Sequence, residues 1–467
     1  MTNYSYTLPV PDGEPRRLAR GWLFLAVGSL VLSGLLAVLI VLSRVPYISD
    51  VFPWVDFFHI ALVVHVDLSV LVWFLAFAGI LWSLHPRQRH LPTAWTALGL
   101  ATIGTLVMTA APFLGADHPI MANYVPVLDH PLFLSGLVIF GIGFVVLVVH
   151  SLATAIAGER FGGGTGALWF GMKTAMVAAL VSMLAVGWTW LNIPDFVVDK
   201  EYYEVLFWGG GHVLQFMHTQ LALVVWLWLA AASGVRVSIS PRLLVGLFVL
   251  GIVAIVLTPV IYMLHDVHSF ENRRAFTWMM GFGNGLAGAP VMLAIWYGLF
   301  ASGRGSMPRL AHPQRAALVF SVILFGVGGI LGFMITGSNT IVPAHYHGSI
   351  VGISLAFMGL TFHLLPRLGF GEVPLRMATI QPYVFGVGQL MHVLGLAWSG
   401  GHGVQRKTAG SAQGLESLPE ILGMAFAGLG GLVAIIGGFM FLVIVYRSVT
   451  SAKGRTLASE GTGQENS

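Results

Sequence analysis

Long apolar stretches separated by short polar ones dominate the chain. Twelve of them, near 18–43, 56–84, 94–114, 131–156, 168–192, 204–232, 243–268, 276–302, 317–336, 342–366, 379–400 and 419–447, have the roughly 20 residues that a helix needs to cross the hydrocarbon of a bilayer. The segments between them are too short to hold a soluble domain. The pattern predicts an all-α, polytopic integral membrane protein: one domain of twelve transmembrane helices over residues 1–450, followed by a disordered tail, Gly/Ser/Glu-rich, over 451–467. Composition agrees, with 56% hydrophobic and 9% charged residues among the 467.

The basic residues set an expected orientation. Arg16, Arg17 and Arg20 precede the first span, and Arg87, Arg89, Arg160, Arg236, Arg242, Arg304, Arg309, Arg315, Arg367, Arg376, Arg447, Lys453 and Arg455 fall on the same side of the predicted bundle. By the positive-inside rule that side is cytoplasmic, which puts both termini inside the cytoplasmic membrane of a prokaryote. The opposite loops carry few cations, namely Lys200, Arg273, Arg274, Arg406 and Lys407. No small-residue cleavage pattern follows the polar N-terminal stretch, so the first run reads as a retained anchor.

The formal charge of +4 belongs to these inner loops. It argues for orientation and contact with the lipid bilayer, not for nucleic acid. With no cysteine, the chain excludes disulfides, thiolate metal sites, iron–sulfur clusters and a C-x-x-C-H heme attachment. Any metal must therefore rest on His, Asp, Glu or Met.

Histidine supplies the candidate chemistry. The tenth span opens Val342-Pro343-Ala344-His345-Tyr346-His347. Residues i and i+2 of a helix point roughly 200° apart, so His345 and His347 can each ligate a different metal center, and one helix can serve two hemes. In the second span His65 lies at a depth comparable to His347. Imidazoles from two facing helices would complete a six-coordinate, low-spin heme suited to electron transfer.

In the sixth span His212 follows Gly209-Gly210-Gly211, which permit close approach of a helix or a flat macrocycle. The seventh span ends Tyr262-Met263-Leu264-His265-Asp266-Val267-His268. On a continuing helix His265 and His268 share a face while Asp266 lies about 100° round. Three imidazoles, or two and a carboxylate, would hold a copper or iron ion. Blander assignments go to Trp54, Tyr124 and Tyr202 as an interfacial belt, and to His218, His363 and His392 as partners in local hydrogen bonds.

These motifs resemble the heme-copper oxidase superfamily, which contains oxygen reductases and nitric oxide reductases. The resemblance implies a catalytic subunit I bundle with two hemes of b type, one low-spin and one high-spin, and one distal metal, Fe or Cu. It implies that His345 ligates the high-spin heme and that His347 and His65 ligate the low-spin one. His212, within a segment similar to W-x-x-G-H, and His265 would hold the distal metal; Asp266 is favoured by sequence position for the third ligand and His268 by helix geometry. Arg406-Lys407 resembles the basic pair that meets heme propionates.

The departures from that pattern steer the expected activity. Four residues after His212, where many oxygen reductases carry a tyrosine, stands Phe216; Tyr262 is an imperfect substitute on the seventh span. Two residues after His212 stands Leu214 rather than a proton-carrying glutamate, and the eighth span has no Lys. Protons would then enter from the outer face, toward which the active site lies, near Asp195, Asp199, Glu201, Glu204 and Glu271, with Glu271 a candidate donor to the reaction. The expected reaction is reduction of nitric oxide, a gaseous substrate, to nitrous oxide without pumping. Reduction of O2 to water is the alternative, and a heme-free transporter the remote one. Electrons are expected from a membrane-anchored subunit of cytochrome c or cupredoxin type, since this chain has no such center of its own.

Overall fold

A computed structural model of the protein describes residues 4–42, 57–156, 162–302, 308–406 and 414–463. Helices follow the apolar runs. In chain order they are α1 (Glu14–Leu42), α2 (Phe57–Val66), α3 (Trp73–Ser83), α4 (Leu91–Ala110), α5 (Pro131–Ile156), α6 (Gly163–Asn192), α7 (Asp199–Ala232), α8 (Pro241–Leu250), α9 (Leu257–Leu264), α10 (Phe270–Gly283), α11 (Gly285–Ala301), α12 (His312–Phe333), α13 (Ile341–Arg367), α14 (Leu375–Gly401) and α15 (Leu418–Gly463). A π-helical stretch, Asp67–Val72, joins α2 to α3 within one span.

Among the described residues eleven spans are long and apolar enough to cross a membrane. Helix α14 covers the predicted eleventh span with 27 residues but is not among them. Gln381, Gln389 and His392 make it more polar than its neighbours.

Two compact units make up the chain: Met1–Val224 with Ser238–Ala294, and Val225–Val237 with Ile295–Ser467. In the first, α4 and α5 pack backbone to backbone. A Cβ on Gly143 would lie 2.7 Å from the Ala101 nitrogen, and one on Gly136 would lie 2.8 Å from the Met108 nitrogen. Membrane helices gain little from apolar burial against each other, so close approach through small residues has to supply the van der Waals contact.

Between α4 and α5 the connecting loop forms a two-stranded hairpin, β1 (Pro119–Ile120) and β2 (Val127–Leu128), with Pro119 opposite Leu128 and Ile120 opposite Val127. At the other end of this unit the N-terminal arm lies along the chain. The Tyr6 hydroxyl donates to the Ile239 carbonyl, and Thr165 Oγ1 donates to the Thr7 carbonyl at 2.9 Å.

The second unit repeats the small-residue scheme twice. Between α12 and α13, a Cβ on Gly352 would lie 2.8 Å from the Phe325 nitrogen. Between α14 and α15, Gly395 faces Ala427, and any Cβ on Gly388 would collide with the backbone of Ala434. A polar link is buried here as well: Trp226 Nε1 donates to Ser321 Oγ at 2.7 Å, and that hydroxyl donates to the Gly352 carbonyl at 2.6 Å.

Candidate heme ligands and distal site

His65 stands one residue before the end of α2. Its Nδ1–H points at Ser33 on α1, with the Ser33 carbonyl and hydroxyl oxygens each 2.9 Å away. A carbonyl can only accept, so the hydrogen sits on Nδ1 and the lone pair on Nε2, the form a metal ligand needs. Ser69 Oγ donates to the His65 carbonyl at 2.7 Å, occupying an oxygen next to the π-helical stretch. Such a bulge inside a helix recurs at functional sites. Within it Asp67 is 2% exposed, with neither carboxyl oxygen hydrogen-bonded.

The three glycines before His212 each admit a different neighbour. Gly209 lies against the Tyr262 hydroxyl and Phe276, Gly210 against Val186 and the Ser182 carbonyl, and Gly211 against the ring of Tyr124. Larger residues would push all three away. His212 itself is buried and donates from Nδ1 to the Trp208 carbonyl one turn back at 2.7 Å, while Trp208 Nε1 donates to the Arg273 carbonyl at 3.0 Å.

Tyr124, expected in an interfacial belt, also reaches toward His212. It sits between the strands of the hairpin, half-buried, with its ring 5.0 Å from that of His212 and 5.9 Å from that of Trp208. Gln215 Nε2 donates to its hydroxyl at 2.9 Å. Burial pushes the Tyr124 phenol well above its ordinary pKa, against the opposing pull of the Gln215 hydrogen bond. The adjacent Asn123 donates to Glu204 at 2.8 Å, tying the hairpin to α7.

At the seventh span the helix stops earlier than its polar pattern predicts. Helix α9 ends at Leu264 and His265 is extended, with φ −138° and ψ 134°. Ser269 caps α10 by accepting from the Asn272 nitrogen at 3.1 Å, and its own hydroxyl donates to the Asp266 carbonyl at 2.7 Å. The residues from His265 to Ser269 thus form a turn committed to starting α10. The helical spacing that put His265 and His268 on one face does not apply to them.

His268 packs its ring 5.4 Å from that of Phe196, and Asp266 is exposed. Among the described residues no three His, Asp or Glu side chains converge into a metal-binding group. His212, His265, Asp266 and His268 are therefore not assembled into the expected distal triad. Tyr262 directs its hydroxyl to Thr189 Oγ1 at 2.8 Å and the Ala185 carbonyl at 3.3 Å. Glu271 is exposed in the first turn of α10, and Glu201 pairs with Arg273 at 2.9 Å.

In the second unit His345 and His347 leave α13 toward different helices. His345 Nδ1 donates to the Gly328 carbonyl of α12 at 2.7 Å, and a Cβ on Gly332 would lie 2.8 Å from two of its ring atoms. His347 Nδ1 donates to the Pro343 carbonyl of its own helix at 2.8 Å, and its ring meets His392 of α14 at 4.8 Å. Arg406 Nε donates to Ser338 Oγ at 3.1 Å; Lys407 lies outside the described residues.

Comparison with known proteins places the chain in a family. The model of the family "Cytochrome C and Quinol oxidase polypeptide I" matches residues 17–449. The chain belongs to that family. An uncharacterized protein of Rickettsia prowazekii (strain Madrid E) is 27% identical over 507 residues, covering 95% of this chain and 98% of its own. One of Aquifex aeolicus (strain VF5) is 29% identical over 356 residues, covering 75% and 85%. In fold, the chain is similar to a heme-copper terminal oxidase dimer solved by cryo-EM. The TM-score is 0.70 at 17% identity, over 94% of this chain and 84% of that one.

A polypeptide I of this family is a heme-binding membrane oxidoreductase that works with an electron-donating partner. Three histidines have the donor chemistry to hold hemes: His65, His345 and His347 each donate from Nδ1 to a carbonyl, which leaves Nε2 for iron. The distal metal fits less well, because the donor set around His212 is incomplete.

Sequence reading missed the contributions of Ser33, Tyr124 and His392 to these surroundings. The Gly209-Gly210-Gly211 run signalled close approach of a neighbour but did not single out Tyr124.

Proposed function

We propose that this oxidase-family chain is a nitric oxide reductase, catalysing 2 NO + 2 e⁻ + 2 H⁺ → N2O + H2O without pumping protons from the cytoplasm. The observation that carries this reading is the state of the two positions where an oxygen reductase of this plan would hold its tyrosine. Phe216 is fully buried four residues after His212, and the Tyr262 hydroxyl is engaged by Thr189 and the Ala185 carbonyl. Splitting O2 calls for a nearby phenol that yields an electron and a proton. Joining two NO molecules calls for neither.

A bound heme supplies an iron that takes a diatomic ligand and exchanges single electrons. The protein's own residues do the rest. His65, His345 and His347 would hold the hemes, each imidazole oriented by its carbonyl partner, and packing against Gly332 holds the His345 ring in place. The N-terminal turns of α7 and α10 bring carboxylates Glu201, Glu204 and Glu271 as sources of the two protons, in keeping with an active site toward the outer face. Electrons would come from a membrane-anchored cytochrome c or cupredoxin subunit, with hemes of b type and both termini on the cytoplasmic side of a prokaryotic membrane. No step is assigned to a distal iron or copper.

One observation favours the second reading, an oxygen reductase. Tyr124, supplied by the outer hairpin, packs against His212 and offers a phenol from a third location. The test is turnover of the purified, reduced protein with NO and separately with O2, after heme extraction and metal analysis. Fast N2O formation with slow O2 uptake is expected. Fast reduction of O2 to water would overturn the reductase reading in favour of Tyr124.

A further inference from the structure

His392 was assigned a local hydrogen bond, but its surroundings are more specific than that. Its ring stands 4.8 Å from that of His347 at an interplanar angle of 62°. Its Nδ1 donates to the Ala427 carbonyl of α15 at 2.8 Å. Helix α15 clears space for it: any Cβ on Gly430 would collide with the His392 backbone nitrogen, and a Cβ on Gly431 would reach to 3.4 Å from its Nδ1. The imidazole is thus held from α15 and presented to the ring of His347.

His347 needs such a neighbour. The torsion that turns an imidazole about its Cβ–Cγ bond is broad and has no sharp staggered well. The Nδ1 bond from His347 to Pro343, four residues back on the same helix, restrains one edge of the ring and leaves its face to be set by packing. Tyr346 lies 4.9 Å away as a chain neighbour, and His392 meets the His347 ring from another helix.

We infer that His392 is a positioning residue for the low-spin heme, fixing the plane of the His347 imidazole by ring-to-ring contact. The inference rests on the reading of His347 as an axial ligand. The plane of an axial imidazole sets the splitting of the iron d orbitals, so the contact adjusts the electronic state of the electron-entry heme without touching it.

Low-temperature EPR of the ferric, heme-loaded protein tests this, with the high-spin heme signal as an internal check of assembly. His392→Ala and His392→Asn shift and broaden the largest g-value of the low-spin heme; Asn retains a donor for Ala427 but has no ring. His392→Phe restores the ring without the donor and returns the g-value to the wild-type position. An unshifted Ala or Asn spectrum overturns the inference. So does a Phe variant that behaves like Ala, or one that loses the low-spin heme. If Ala fails to assemble, the Asn and Phe pair carries the same test. His347→Ala separates the two readings: retention of the low-spin signal there would sink the ligand assignment itself.

Discussion

The ring of Tyr124 lies 5.0 Å from the imidazole of His212, and it gets there from the hairpin between α4 and α5, not from the sixth or seventh span. The contact depends on Gly211, because a Cβ at that position would fall inside the Tyr124 ring's van der Waals envelope. Gly211→Val should therefore displace Tyr124 and disturb His212 together, lowering turnover with both NO and O2 by roughly tenfold or more, equivalent to about 1.4 kcal/mol of barrier. Tyr124→Phe keeps the ring and removes only the acceptor for Gln215. In a nitric oxide reductase it should leave N2O formation within about a factor of two, a few tenths of a kcal/mol. Parallel steady-state assays on the two variants measure this, and equal, severe loss in both would mean the hydroxyl itself is needed.

Tyr262 offers the complementary case. Its hydroxyl is shared with Thr189 and the Ala185 carbonyl, so Tyr262→Phe should cost about 1 kcal/mol of stability, as one lost neutral hydrogen bond does. Nitric oxide turnover should not change. A thermal melt in detergent read beside an NO assay checks both halves. A Tyr262→Phe protein that melts like wild type but no longer turns over would place this phenol in the chemistry.

What the sequence revealed and concealed follows from the range of the forces involved. A span of some 20 apolar residues is a bulk property, insensitive to any one neighbour, and so the helices fall where the runs predicted. The end of α9 at Leu264 was hidden, because His265-Asp266-Val267-His268 continues a helical polar pattern. What stops the helix is the extended His265 together with the Ser269 cap on the next one. The hairpin was hidden too, since strands of two residues leave no periodicity to read. For His392 the sequence shows only a histidine within an apolar helix, flanked by Met391 and Val393. Its meaning comes from Gly430, Gly431 and Ala427 on a helix that begins 26 residues later.

Gly332 gives a sharp packing test within the second unit. The His345 ring lies against this glycine closely enough that a single methyl would sit 2.8 Å from its Cε1 and Nδ1. Contacts that short are not sustained, so Gly332→Ala must move the ring and lengthen or break its 2.7 Å bond to Gly328. The optical spectrum of the reduced, CO-treated protein should lose most of its high-spin signal while the low-spin bands persist. Gly329→Ala, on the same helix with open space around its Cβ position, should behave as wild type. If both variants keep the CO-sensitive heme, His345 is not its ligand.

His85 makes stability depend on pH. It follows the second span, is 4% exposed, and packs its ring 5.1 Å from Trp169. Desolvation lowers its pKa below the ordinary value of 6.5; the Arg87 backbone bond opposes this, and the charges of Lys173 and Arg87 add to the lowering. The unfolded chain therefore binds a proton more readily than the folded one. The stabilising contribution is complete above the unfolded pKa of about 6.5 and is lost as pH falls through that value toward the folded pKa. Melting temperature should drop between about pH 7 and pH 5.5, and His85→Gln should flatten that slope relative to wild type. The two proteins melted in parallel across this range decide it: identical slopes would show that the drop comes from other groups, and a steeper slope in the variant would reverse the sign of the argument.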